Sequence, residues 1–162
     1  YVDWLLTTPL LVLYLGLLCR PGQRVYAALL GADVVIIAGG IVGALTTGAA
    51  RWVAFAIGVV AYLALLYQLL VVLPRQATLA GERVAAVFTK LRNLTVVLWS
   101  IYPVAWVLSP LGAGLLDQES TVLIIAYLDM ISKVGFVIVA MNGRDALDAL
   151  ASGVSGAVTA DD

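Results

Sequence analysis

Apolar residues run through this chain in long blocks separated by short polar segments, with no sustained alternation. Blocks of that length suit bilayer-spanning helices, and their unbroken character argues against a transmembrane β-barrel. The pattern predicts five spans, at about 1–18, 25–45, 52–73, 83–108 and 121–150. In the first, Pro9 is tolerated because nearby hydroxyls can satisfy the carbonyls it frees, and Thr7 and Thr8 are placed to do so. Gly31, Gly39, Gly40 and Gly43 in the second allow close helix approach. The third stops at Pro74, and residues 75–82 form a polar connection. The fourth begins amphipathically and is kinked by Pro103. Residues 109–120 make a Gly-rich loop, and residues 151–162 read as a disordered tail.

Composition supports this pattern. The chain has 162 residues, of which 63% are hydrophobic and 12% charged, with a mean hydropathy of +1.06. A soluble domain carries about twice that share of charge. The expected fold class is an all-α, polytopic transmembrane helix bundle, with residues 1–150 as its one domain. Cys19 is the single cysteine, so no disulfide forms within the chain. The net charge of -1 and the lack of a basic run argue against nucleic-acid binding. The apolar run begins at Tyr1 without a signal peptide, which reads as a start inside a helix of a longer protein.

Charge sets the orientation. Arg20, Arg24, Arg75, Arg83, Lys90, Arg92 and Arg144 fall on one side of the predicted spans, and Arg51 falls on the other with Asp117 and Glu119. The positive-inside rule puts the first group, the C-terminus and the tail in the cytoplasm of a multi-pass cell-membrane protein.

Four charged residues lie deep in the spans: Asp3, Asp33, Asp129 and Lys133. Such groups are costly in hydrocarbon and should face the bundle interior, paired. The plain reading of Asp33 is a polar tie between helices. Asp129 and Lys133 stand one helical turn apart on one face, in a run from residue 121 to residue 141. Two functional readings fit that pair. Lys133 is either the coupling residue of an ion transporter or the amine that carries a covalent cofactor, since a desolvated lysine is a competent nucleophile toward a carbonyl. The resulting cationic imine would need counter-ions. Trp99, Tyr102, Pro103 and Trp106 share one helical stripe. They suit core packing, an interfacial belt or, with Trp4 beside Asp3, the walls of a flat apolar ligand joined to Lys133.

These residues bear a family resemblance. Tyr1-Val2-Asp3-Trp4-Leu5-Leu6-Thr7-Thr8-Pro9-Leu10, Leu91-Arg92-Asn93-Leu94-Thr95-Val96-Val97-Leu98-Trp99, Tyr102-Pro103 with Trp106, and Leu128-Asp129 through Lys133-Val134-Gly135-Phe136 occur in order. The chain resembles the microbial (type I) rhodopsins over residues 1–150. That resemblance implies a seven-helix fold whose third to seventh helices are present here. It implies all-trans retinal covalently bound to Lys133 as a protonated Schiff base, no enzymatic activity, Asp3 as primary counter-ion and proton acceptor, and Asp129 as second counter-ion. By the same resemblance Trp4, Trp99, Tyr102 and Trp106 line the pocket, Phe55 and Gly40 lie near the retinal ring, and Asp33 bonds Thr8 to tie two helices.

Within the family, the carboxylate at Asp3 argues against chloride pumps. Proton pumps carry a carboxylic proton donor eleven residues after the counter-ion, and here that position is Tyr14. The separation is roughly 16 Å along the helix, and a phenol titrating near pH 10 donates poorly at neutral pH. The pumps' release carboxylates correspond to Thr121 and to the region of Pro110 and Leu111, with Asp117 and Glu119 out of register. A slow cycle suits a signal. Ser132 resembles the hydroxyl residue that precedes the lysine in haloarchaeal sensory rhodopsin II, where it would bond Tyr102; Tyr127 resembles that branch's transducer-contacting tyrosine. The plain alternatives are a hydroxyl bonded to its own helix for Ser132 and a lipid-facing ring for Tyr127. The resemblance thus implies a phototaxis photoreceptor in the lipid bilayer, signalling to a membrane transducer in a 2:2 receptor–transducer complex or standing as a homo-oligomer. A light-driven outward proton pump is the alternative, and a proton-coupled transporter without retinal a remote third.

Overall fold

A computed structural model describes residues 1–144 and 148. Among them the regular structure is all helical: α1 (Val2–Cys19), α2 (Gln23–Leu45), α3 (Gly48–Tyr67), α4 (Leu73–Leu79), α5 (Glu82–Trp99), α6 (Ile101–Leu108) and α7 (Gln118–Asn142). They make five stretches long and apolar enough to cross a membrane: α1, α2, Gly48–Leu79, Glu82–Leu108 and α7. The expected extension of the last helix to residue 150, and the expected tail at 151–162, lie outside the described residues.

The third stretch departs from expectation at Pro74. A π-helical turn, Gln68–Val72, joins α3 to α4, with the Leu73 N–H reaching back five residues to the Gln68 carbonyl. The wider turn brings Pro74 to the start of α4, where a missing N–H costs little. The helix therefore runs on to Leu79, through most of the segment expected to be a polar connection. In the fourth stretch the expected kink is present, but the break falls at Ser100, between α5 and α6. Pro103 cannot donate to the Trp99 carbonyl, and its ring crowds that carbonyl, so the irregularity appears one turn before the proline.

Turns follow local chemistry. α1 ends on Arg20 in the left-handed region (φ 47°), whose N–H returns to the Gly16 carbonyl, and Pro21 stops continuation. At α7 the Asp117 carboxylate accepts the Ser120 N–H at 2.7 Å, a side-chain N-cap. α2 and α3 cross closely at Gly39, where a Cβ would lie 2.8 Å from the Ala54 carbonyl oxygen and 3.1 Å from the Gly58 Cα. Gly31, expected to share that role, faces open space. Thr7 and Thr8 bond the Asp3 and Trp4 carbonyls, so they do not serve the Leu5 carbonyl that Pro9 leaves without its usual donor.

The core divides along the bundle. Toward the Cys19 and Leu79 end, Val12, Leu15, Leu18, Leu29, Leu65, Leu69, Leu73, Phe88, Leu91 and Phe136 pack into one apolar cluster. Toward the other end the helices diverge around a cavity. Leu10, Val34, Val60, Leu63, Val97 and Ile138 point outward and exposed, as lipid-facing positions of a bundle do.

Candidate functional site

The cavity is bordered by side chains from all five spans. α7 carries Asp129 and Lys133 one turn apart, and Lys133 Nζ donates to Asp129 Oδ2 at 2.7 Å. α1 brings Asp3, which closes a second ion pair with the same nitrogen. The Trp4 indole N–H donates to the remaining oxygen, Asp129 Oδ1, at 2.9 Å. Asp129 is thus clamped between an amine and an indole, and Lys133 is shared by two carboxylates. An ammonium placed this way is charge-compensated without leaving the apolar bundle.

Asp33 is 1% exposed, and the side chains of Lys133 and Asp129 are about a quarter exposed. Asp3 reaches Lys133 from α1.

Aromatic rings wall the rest of the cavity. Phe55 and Trp106 stack at 4.3 Å with 12° between planes. Trp4 meets Tyr102 edge-on at 5.1 Å and Tyr1 at 5.2 Å. Trp99, Gly40, Thr8, Ser132 and Asp33 also border it. Thr8 Oγ1 and Asp33 Oδ2 lie within hydrogen-bond distance, 2.9 Å, tying α1 to α2. Ser132 differs from expectation. Its Oγ accepts from the Trp99 indole at 3.2 Å instead of bonding Tyr102. Tyr127 lies on the outer face of α7 and is 60% exposed.

Tyr14 stands apart from the cavity, in the packed half. Its ring meets Phe136 edge-on at 5.7 Å, and its hydroxyl lies 3.5 Å from the Ala140 carbonyl. Thr121 is buried and bonds the Asp117 carbonyl at 2.8 Å. With its carboxylate committed to the cap, Asp117 holds its proton less readily than a free side chain, first through the Ser120 N–H.

The family model described as bacteriorhodopsin-like protein matches residues 1–147. The chain belongs to the bacteriorhodopsin-like family. It is 54% identical over 150 residues to sensory rhodopsin-2 of Halobacterium salinarum, covering 93% of this chain and 63% of that protein. It is 43% identical to bacteriorhodopsin of the same organism, over 89% of this chain and 55% of that protein. The crystal structure of thermophilic rhodopsin from Rubrobacter xylanophilus superposes with a TM-score of 0.87 at 36% identity, covering 94% of this chain and 69% of that one. The chain spans about six tenths of the length of the curated relatives it matches. It is a multi-pass membrane chain of rhodopsin type, similar to sensory rhodopsin II.

Within this rhodopsin bundle, Tyr62 and Ser100 were not singled out from the sequence. Tyr62 borders the cavity and its hydroxyl lies 2.8 Å from Ser100 Oγ. A signal was present for Tyr62, which follows Phe55 by seven residues and Gly58 by four and so shares their helical face. For Ser100 there was none, because its role depends on where the proline break falls.

Proposed function

We propose that this chain is the greater part of a sensory rhodopsin II-like photoreceptor, which carries all-trans retinal on Lys133 and signals through a membrane transducer for phototaxis. The reading rests on one observation above all: a single lysine amine, held by two carboxylates, enters a cavity walled mainly by aromatic and apolar side chains. The residues present fit that cofactor. Its aldehyde needs a primary amine, its flat chain needs ring faces such as the Phe55–Trp106 stack, and Gly40 and Gly58 leave stretches of the wall without side chains. Bound there, retinal supplies the absorption of visible light and an isomerisation that displaces the Lys133 nitrogen.

The protein's own groups do the rest. Asp3, in contact with that nitrogen, takes its proton, and Asp129 remains as the second counter-charge, steadied by Trp4. Losing the ion pair removes what favours one packing of α5, α6 and α7 over another, and the balance shifts. Return requires a proton, and Tyr14 stands where a donor would serve. A phenol donates slowly at neutral pH, so the altered packing persists long enough to be read by a partner. The exposed ring of Tyr127 on α7 is the contact assigned to the transducer. The basic residues at the Arg20, Arg75 and Arg83 end support a cytoplasmic position for that end and the C-terminus.

Flash photolysis of the full-length protein reconstituted with all-trans retinal tests this. A carboxylic donor accelerates proton return by about a hundredfold or more, so Tyr14→Asp should shorten recovery on that scale. Fast recovery of the unmodified protein, with vectorial proton release from vesicles, would make it a light-driven outward pump. Absence of any visible pigment would return Lys133 to a transporter role.

A further inference from the structure

Where α5 meets α6, one carbonyl takes two donors from the same residue. The Val96 oxygen accepts from Ser100 N at 3.2 Å and Ser100 Oγ at 2.6 Å, with the Tyr62 hydroxyl oxygen 3.4 Å away. Because the Ser100 proton goes to Val96, the 2.8 Å contact between Tyr62 and Ser100 is donated by the tyrosine. Tyr62 is 9% exposed and belongs to α3. Its hydroxyl therefore ties one span to the single broken point of another. On the other side of that point, Trp99 donates to Ser132, the residue preceding Lys133.

We infer that Tyr62 is a positioning residue that holds the α5–α6 joint in its resting angle and thereby sets how long the light-activated packing lasts. The inference rests on the photoreceptor reading above. Displacement at Lys133 reaches Ser132 and Trp99, and through them Ser100. α5 can pivot about Ser100 only if Ser100 leaves Tyr62, since α3 is anchored to α2 by the close Gly39–Gly58 crossing. The bond is made at rest and absent after the pivot, so it favours the resting state alone. A neutral hydrogen bond of this kind is worth a factor of about two to ten in such a balance.

The test uses the full-length protein with all-trans retinal, comparing Tyr62→Phe, Ser100→Ala and the double substitution by flash photolysis. Each single change should slow recovery about two- to tenfold, and the double should slow it no further, with the visible absorption maximum of Ser100→Ala unmoved. Independent, multiplying effects of the two changes would overturn the inference. So would unchanged recovery accompanied by a lower melting temperature or a colour shift, which a packing or ligand-facing role would give. If Tyr62→Phe does not fold, Ser100→Ala alone still decides, because unchanged recovery in that variant excludes the tie. If the unsubstituted protein forms no pigment, the photoreceptor reading fails, and that result is distinct from pigment with unaltered kinetics.

Discussion

The two halves of this bundle solve opposite problems. In the half near Cys19 and Leu79, Leu15, Leu18, Leu65, Leu69, Leu73 and Phe88 leave essentially no surface exposed, and the Tyr14 ring packs on Phe136. In the half near Asp3 and Phe55 a cavity opens inside the bundle, and carboxylates, an amine and indoles border it. The comparison teaches that an amine is tolerated in a membrane core where carboxylates meet it, and that apolar packing is kept where no such pair is offered. Asp33 illustrates the boundary. It faces a neutral hydroxyl rather than an amine, so it ties helices, whereas Asp129, on the same cavity, answers a cation.

The contrast breaks most completely at Lys133. Lys133→Ala should abolish the visible pigment of the retinal-reconstituted protein, and a coloured, retinal-bound variant would sink the assignment of the cavity. In the packed half, Phe88→Ala should cost about 3–5 kcal/mol of stability by leaving a cavity that its neighbours cannot fill. Thermal unfolding in detergent would report it, with little change of colour before melting. Asp3→Asn should leave a pigment but move its absorption to longer wavelength, since a weaker counter-charge lets positive charge spread along the bound polyene. An unshifted spectrum would deny Asp3 the counter-ion role.

The smallest effect belongs to the cap of α7. The proton affinity of Asp117 is lowered in the fold, so its stabilisation is complete above the unfolded value near pH 4. It is lost as pH falls through the lower folded value. Melting temperatures of Asp117→Ala and the unsubstituted protein should differ slightly at neutral pH and converge in acid. A constant gap would mean that the carboxylate charge is not what caps the helix.

Much of the fold was legible in the order of residues. A helix of some twenty apolar residues satisfies its own backbone in lipid, so length and hydropathy alone fix the spans and their number. The helical periodicity that puts Asp129 one turn from Lys133, and Trp99, Tyr102 and Trp106 on one stripe, is likewise local. What lay beyond reach depended on backbone paths that a pattern of side chains does not encode. Pro74 reads as a stop, yet the π-turn before it absorbs the missing donor and carries the helix on to Leu79. Ser132 reads as a partner for Tyr102, yet the packing of α5 on α7 brings the Trp99 indole instead. The Tyr62–Ser100 tie follows from the way α3 passes the broken helix. Local spacing thus settles which chemistry the chain possesses. Only the crossing of distant helices, governed by glycine contacts and proline breaks, decides which of those groups touch.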